Sequence, residues 1–371
     1  MCCNSKMAAT QLVCVDDFEK YACDNLDKHT LEYYRSGANE EQTLADNRSA
    51  FKRYRLRPRF LHRDVTNRDM STTIQGQPID FPICISPSGL HKLVHPDGEL
   101  ATARAAASMK TCMALSTGST YSMEDVANAA PHGLRWFQLY ISPDREMTKH
   151  LVRRAERSGY KGLLLTIDTP LSVRRLSDTK NKFVMPKHIR LGNFMVNEDT
   201  KDYDFNASAS NLFDAALSWK DVRWLKQFSS LPLIVKGVLT AEDAIEAVNC
   251  GVDGVFVSNH GGRRLDCVPA SIDVLAEVVR AVAGRCEVYL DSGVRTGTDV
   301  LKALALGARA VFIGRPALYG LAYDGEAGVR QVLEILKSEL SLAMALSGCA
   351  CLDDIKRELV VHESHYLRPK L

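Results

Sequence analysis

The sequence predicts an α/β fold: a (β/α)8 TIM barrel with a helical N-terminal extension and a lid insertion after strand four. Three observations carry this expectation. Short β-branched and apolar runs alternate with helical patterns at a unit length of roughly 35 residues. The alternation yields eight strands. Every one of them ends in polar residues, as strands do at the chemical rim of such a barrel. An open doubly wound sheet would be announced by a Gly-rich loop after its first strand, and none is present.

The elements follow in order. Residues 1–80 read as a charged, helical extension, and residues 81–348 as the barrel, within one domain spanning 1–371. The first strand is Pro82-Ile83-Cys84-Ile85-Ser86, the second Cys112-Met113-Ala114-Leu115, the third Arg135-Trp136-Phe137-Gln138-Leu139. Gly162-Leu163-Leu164-Leu165-Thr166-Ile167 is the fourth and Pro232-Leu233-Ile234-Val235-Lys236 the fifth. Gly254–Val257, Glu287–Leu290 and Ala310–Ile313 complete the eight. Helices are expected over Gly98–Ser108, 217–228 and Ala241–Asn249. Thr240 would cap the last of these, with Glu242 in its first turn, where the helix dipole favours a negative charge. Residues 185–212 have weak periodicity and many Asn, Asp and Ser residues, as a lid over a site would. Residues 349–371 read as a C-terminal tail.

Composition bounds the partners. A net charge of +2 gives no field that would hold a nucleic acid. No apolar run approaches the roughly 20 residues of a membrane span. The start, MCCNSKMAAT, lacks the basic-then-apolar layout of a secretory signal. Eleven cysteines without metal-ligand spacing suit free thiols in a reduced compartment, and no metal is expected. The last three residues, Pro369-Lys370-Leu371, half match the peroxisomal Ser-Lys-Leu type of address. A frayed basic tail on a cytoplasmic protein fits them equally.

The strand ends carry the chemistry. Strands seven and eight end in Asp291-Ser292-Gly293-Val294-Arg295 and Gly314-Arg315-Pro316. Loops at these two places commonly cradle a phosphate, which glycine backbone and arginine side chains would hold. Strands one to five end in Ser86-Pro87-Ser88-Gly89, Ser116-Thr117-Gly118, Gln138-Leu139-Tyr140, Thr166-Ile167-Asp168 and Lys236-Gly237. Such neutral polar groups suit a flat heteroaromatic ring, and a buried lysine suits the negative charge that a reduced flavin develops. Strand six runs into Ser-Asn-His-Gly-Gly-Arg-Arg-Leu-Asp, residues 258–266. That is far more charge than a turn requires.

Read together, these ends resemble the FMN-dependent 2-hydroxy-acid oxidase and dehydrogenase family. The loop of that family is Ser-Asn-His-Gly-(Gly/Ala)-Arg-Gln-Leu-Asp, matched here at every position but Arg264. Tyr33-Tyr34-Arg35-Ser36-Gly37-Ala38, Asp97-Gly98-Glu99, Gln138-Leu139-Tyr140, Thr166-Ile167-Asp168-Thr169-Pro170 and Val235-Lys236-Gly237 extend the match. Within the family the animal peroxisomal hydroxyacid oxidases, whose loop carries the same two glycines, look nearest.

The resemblance implies FMN as cofactor and (S)-2-hydroxy acids as substrates, oxidised to 2-oxo acids while O2 becomes H2O2. It makes His260 the base, Asp168 its orienting carboxylate and Tyr140 a ligand of the substrate oxygen. Tyr33, Arg175 and Arg263 would take the substrate carboxylate, with Arg175 rather than its neighbour Arg174 chosen by family spacing. Pro87, Ser88, Gly89, Ser116, Gln138, Thr166, Lys236 and Ser258 would contact the flavin. Asp291 would take the ribityl chain, and Gly293, Arg295, Gly314 and Arg315 the phosphate. A homotetramer, and import by a peroxisomal receptor at the C-terminus, are further implications. Alternatives are a dehydrogenase of the same family with another electron acceptor, and a non-redox or inactive barrel binding a phosphorylated ligand.

Three departures qualify the match. Ser292 stands where the family has glycine. Val173 replaces a glycine just before the arginines. Gly118 replaces a tryptophan of the glycolate oxidases, which opens the pocket beside the substrate's side chain. Medium- or long-chain, or aromatic, acids are therefore expected over glycolate, at roughly 0.8 kcal/mol per buried CH₂.

Overall fold

The computed structural model describes residues 12–171, 173, 175–194 and 212–367. Eight parallel strands close into a barrel: β1 (Ile83–Ile85), β2 (Cys112–Leu115), β3 (Leu134–Leu139), β4 (Leu163–Thr166), β5 (Leu233–Val238), β6 (Gly254–Val257), β7 (Glu287–Leu290) and β8 (Ala310–Ile313). Neighbours in sequence are neighbours in space, and β8 pairs with β1 through Phe312 and Cys84. The strands are apolar along nearly their whole length because both faces are covered, by helices outside and side chains within.

Helices cover the outside in the expected places. Gly98–Ser108 and Ala241–Asn249 form as read. The Thr240 hydroxyl accepts from the Asp243 N–H at 3.2 Å and caps the latter. The helix expected over 217–228 starts two residues later, Trp219–Phe228, because the Ser218 side chain and Asp221 form a capping box there. The longest helix, Arg315–Leu346, breaks at Asp324 and Gly325.

Two regions differ from expectation. The N-terminal extension contains three helices, Val15–Asn25, Lys28–Arg35 and Gln42–Ser49, but it also contains strands. Thr72–Ile74 and Gln77–Ile79 make an antiparallel hairpin. Its Ile74 and Ile79 pack against Cys84, Trp136, Tyr289 and Phe312 and close the barrel floor. Three-residue strands around Gly76 and Pro78 are too short to show alternation. Nor is the C-terminal segment a simple tail: Val360–His362 pairs antiparallel with Tyr54–Leu56 of the extension. The first part of the expected lid is docked, since Asn193 donates to the carbonyls of Ser116 and Thr117 behind β2. Residues 195–211 of the lid, Arg174, and Pro369-Lys370-Leu371 lie outside the described residues.

No helix of the described residues is long and apolar enough to cross a membrane, and no metal-ligand cluster occurs among them. The described cysteines are free thiols.

Candidate active site

A cavity opens at the C-terminal ends of the strands. Tyr33, Pro87, Ser88, Gly89, Ser116, Gly118, Gln138, Tyr140, Thr166, Arg175, Lys236, His260, Arg263, Asp291, Gly293, Arg295, Gly314 and Arg315 all line it, as the sequence led us to expect. Two expected residues do not. Asp168 lies behind His260, in the orienting place foreseen for it. Ser258 is wholly buried below the wall, where its hydroxyl accepts from Lys236 Nζ at 2.8 Å and from the His260 N–H at 3.0 Å. It holds two cavity residues in place instead of facing the cavity itself.

The histidine loop owes its shape to backbone that only glycine adopts freely. His260, Gly261 and Gly262 all have positive φ, 59°, 67° and 74°. A Cβ on Gly262 would come within 2.8 Å of the backbone of Leu44 in the extension. His260 tolerates the strain because its ring is fixed. Nδ1 lies 3.0 and 3.2 Å from the two oxygens of Asp168. Asp168 in turn packs on Gly237, where a Cβ would sit 2.8 Å from its own.

The other nitrogen of the ring faces a guanidinium. Arg264 Nη2 lies 3.3 Å from His260 Nε2 and 3.2 Å from Tyr140 Oη. A guanidinium only donates, so Nε2 carries the lone pair and Nδ1 the proton. Burial first, and then the charges of Arg264 and Lys236, push His260 down to about 4 against the opposing pull of Asp168. Burial raises the Asp168 carboxyl, but its pairing with His260, by charge and by hydrogen bond, and then the cations of Lys236 and Arg264 outweigh it and hold it well below the usual carboxylate range. The resting pair is thus a neutral imidazole on an ionised carboxylate.

Around this centre two further sets of groups are built. Ser116 Oγ, Gln138 and Thr166 Oγ1 form a hydrogen-bonded row across β2, β3 and β4, at 3.3 and 3.1 Å. Lys236 is 3% exposed and sits 3.3 Å from Asp291, whose carboxylate also accepts from Ser86 and Ser292. At the far end are Gly293, Gly314, Arg295 and Arg315. Among the described residues Arg295 Nε is buried without a hydrogen-bond partner. Arg315 donates from all three guanidinium nitrogens to the carbonyls of Tyr34, Gly261 and Ser36, so it brings charge and rigidity more than free donors. Burial pushes Arg263, Arg295 and Arg315 down from the ordinary arginine value. Buried cations of this kind are stabilised by a bound anion.

This donor set fits FMN: polar row for ring edges, lysine for the reduced ring's charge, carboxylate for a polyol and arginine end for phosphate. The outer end of the cavity is cationic and aromatic. Tyr33 is flanked by the guanidinium groups of Arg175 and Arg263, at 5.0 and 5.4 Å from its ring centre. Leu191, Leu212 and Phe213 add an apolar wall. Sequence reasoning did not single out these three, of which Leu191 and Leu212 lie within the irregular insertion 185–212 and Phe213 just after it, nor Tyr34, whose hydroxyl donates to the carbonyls of Gly89 and Leu90. Arg264 stood in the quoted loop but only as a mismatch.

Of the departures, Ser292 is resolved by the backbone. Its φ is +77°, the strained region that a glycine would occupy freely. Its hydroxyl compensates, accepting from the Gly261 N–H at 3.0 Å and donating to Asp291 at 2.9 Å.

Comparison with known proteins places the chain in a family. The model of the FMN-dependent dehydrogenase family matches residues 22–362. Human 2-hydroxyacid oxidase 1 is 51% identical over 358 residues, covering 94% of this chain and 96% of that protein. The glycolate oxidase of Spinacia oleracea is 51% identical over 348 residues, covering 92% of this chain and 94% of that protein. Among solved structures, mandelate oxidase with (S)-4-hydroxymandelic acid superposes with a TM-score of 0.88 at 38% identity, over 95% of this chain and 99% of that one.

Proposed function

The chain belongs to the FMN-dependent dehydrogenase family, and from that premise we propose that it oxidises (S)-2-hydroxy acids larger than glycolate, with O2 as acceptor. The net reaction converts R–CHOH–COO⁻ and O2 into R–CO–COO⁻ and H2O2. FMN, when bound, supplies the two-electron acceptor.

The observation that carries the reading is the His260–Asp168 pair facing Tyr140 in a pocket with Arg175, Arg263 and Tyr33. Arg175 and Arg263 hold the substrate carboxylate, and Tyr33 buttresses both guanidinium groups. Arg263 is itself fixed, because Nη1 donates to the carbonyls of Tyr33, Tyr34 and Ser36. Tyr140 Oη and His260 Nε2 meet the substrate hydroxyl. His260 removes its proton at Nε2, and Asp168 stabilises the imidazolium that forms.

Two features favour a larger substituent. A Cβ built on Gly118 meets only Ser116 Oγ, at 3.7 Å, so open space remains beside it. The wall of Leu191, Leu212 and Phe213 offers apolar area to fill it. The test is to measure kcat/KM for glycolate, 2-hydroxyoctanoate and (S)-mandelate in air, together with peroxide and 2-oxo acid. We expect equal peroxide and 2-oxo acid, and glycolate as the poorest of the three. Glycolate as the best substrate would refute the size preference, and 2-oxo acid without peroxide would refute O2 as the acceptor.

A further inference from the structure

Arg264 has no part in the reaction as derived so far. Arg175 and Arg263 already serve the carboxylate, and Arg264 is one cation more. Its contacts among the described residues are His260 Nε2 at 3.3 Å, Tyr140 Oη at 3.2 Å and the ring of Phe213 at 6.0 Å, none of them a carboxylate. Its Nε is buried and has no hydrogen-bond partner among the described residues. The charge that acts on Arg264 is the Asp168 carboxylate on the far side of the His260 ring, with the imidazole between the two. Arg264 stands where the family loop carries a neutral glutamine.

We propose that Arg264 is a positioning residue of the reaction: it keeps His260 a neutral imidazole with Nε2 bare, and so extends proton abstraction into acidic solution. The inference rests on the 2-hydroxy-acid reading for its catalytic consequence but not for its electrostatic one.

The geometry works from both sides of the ring. Asp168 accepts from Nδ1, and Arg264 can only donate to Nε2, so one tautomer satisfies both. Protonation of Nε2 would break the second contact and set two cations side by side. The other groups facing His260 do not reverse this. Asp168, at the end of β4, favours the imidazolium, whereas Lys236 of β5 opposes it and is itself paired with Asp291 after β7. Tyr140 after β3 presents its hydroxyl to Arg264. Arg263 on the same loop adds a further cation, and Arg315 after β8 another, through its bond to the Gly261 carbonyl. Burial and Arg264 lead the causes that hold the ring neutral. A substrate hydroxyl needs the same two atoms that Arg264 holds, so the guanidinium yields them as substrate binds.

The experiment uses the FMN-loaded full chain as wild type, R264Q, R264M and R264K. Two quantities are read: the acid limb of kcat/KM for 2-hydroxyoctanoate, and the titration of the His260 ring nitrogens in ¹⁵N-histidine protein without substrate, assigned with H260N. In R264Q both should move up by about one pH unit or more, because a neighbouring charge has been removed. R264K, which keeps the charge, should stay with wild type. R264M gives the same reading where glutamine impairs folding. Coincident titrations in wild type, R264Q and R264M would overturn the proposal. Absence of turnover with every 2-hydroxy acid, alongside a displaced His260 titration, would instead overturn the substrate reading and leave Arg264's role standing.

Discussion

In the proposed reaction His260 serves as a base that needs no activation at neutral pH. Its ring is pushed down to about 4, so it is unprotonated across the neutral range. The sign follows: kcat/KM should hold as pH falls below neutrality and drop only as the ring takes a proton near that value. A profile that already halves near the ordinary histidine pKa of about 6.5 would contradict the neutral resting pair. Replacing the base outright in H260N should lower the rate of substrate oxidation by about 10²- to 10⁴-fold, with FMN retained. In the proposed reading Gly118 sets the pocket's length. G118W should restore a small pocket, raising kcat/KM for glycolate relative to 2-hydroxyoctanoate; unchanged selectivity would remove Gly118 from the argument. Ser292 carries opposed effects that two variants separate. S292A keeps the positive φ and loses both hydroxyl bonds, whereas S292G loses the bonds but relieves the strain. S292G should therefore be the more stable of the two by about 1 kcal/mol in denaturant unfolding.

Elements place these residues. The loop after β6 is clamped from the N-terminal extension, not only from the barrel. Asp266 accepts from the backbone N–H groups of Glu40, Gln42 and Thr43, at 3.1, 3.4 and 2.9 Å. It caps the helix Gln42–Ser49 from another element altogether. Asn259 and Asn47 exchange side-chain bonds at 2.7 and 2.9 Å. Removing the cap in D266A should destabilise the protein by about 1–2 kcal/mol and raise KM more than it lowers kcat, since the loop carrying Arg263 loosens. The strands and the polar rim were legible because buried parallel strands are continuous apolar runs that end abruptly. Ser258 turns into the protein because residues alternate along a strand, a direction that a motif match does not give. Asp266 was quoted as the end of a motif, yet its partners lie more than 200 residues away, beyond any local pattern. The floor hairpin escaped for a simpler reason: three residues hold too little periodicity to read.

Over the whole molecule, chain ends and barrel are one structure. Tyr54–Leu56 and Val360–His362 pair across more than 300 residues of sequence, and Arg263 and Arg315 bind the carbonyls that end the helix Lys28–Arg35. The extension therefore forms part of the site, with Tyr33 in its wall. Oxidation of 2-hydroxy acids at this rim through bound FMN is visible in the flavin itself. The decisive measurement adds 2-hydroxyoctanoate without oxygen to the FMN-loaded protein and records the flavin absorbance. The oxidised flavin band should bleach and return when air is admitted. A band that stays unchanged with 2-hydroxyoctanoate, (S)-mandelate and glycolate alike would rule the reaction out.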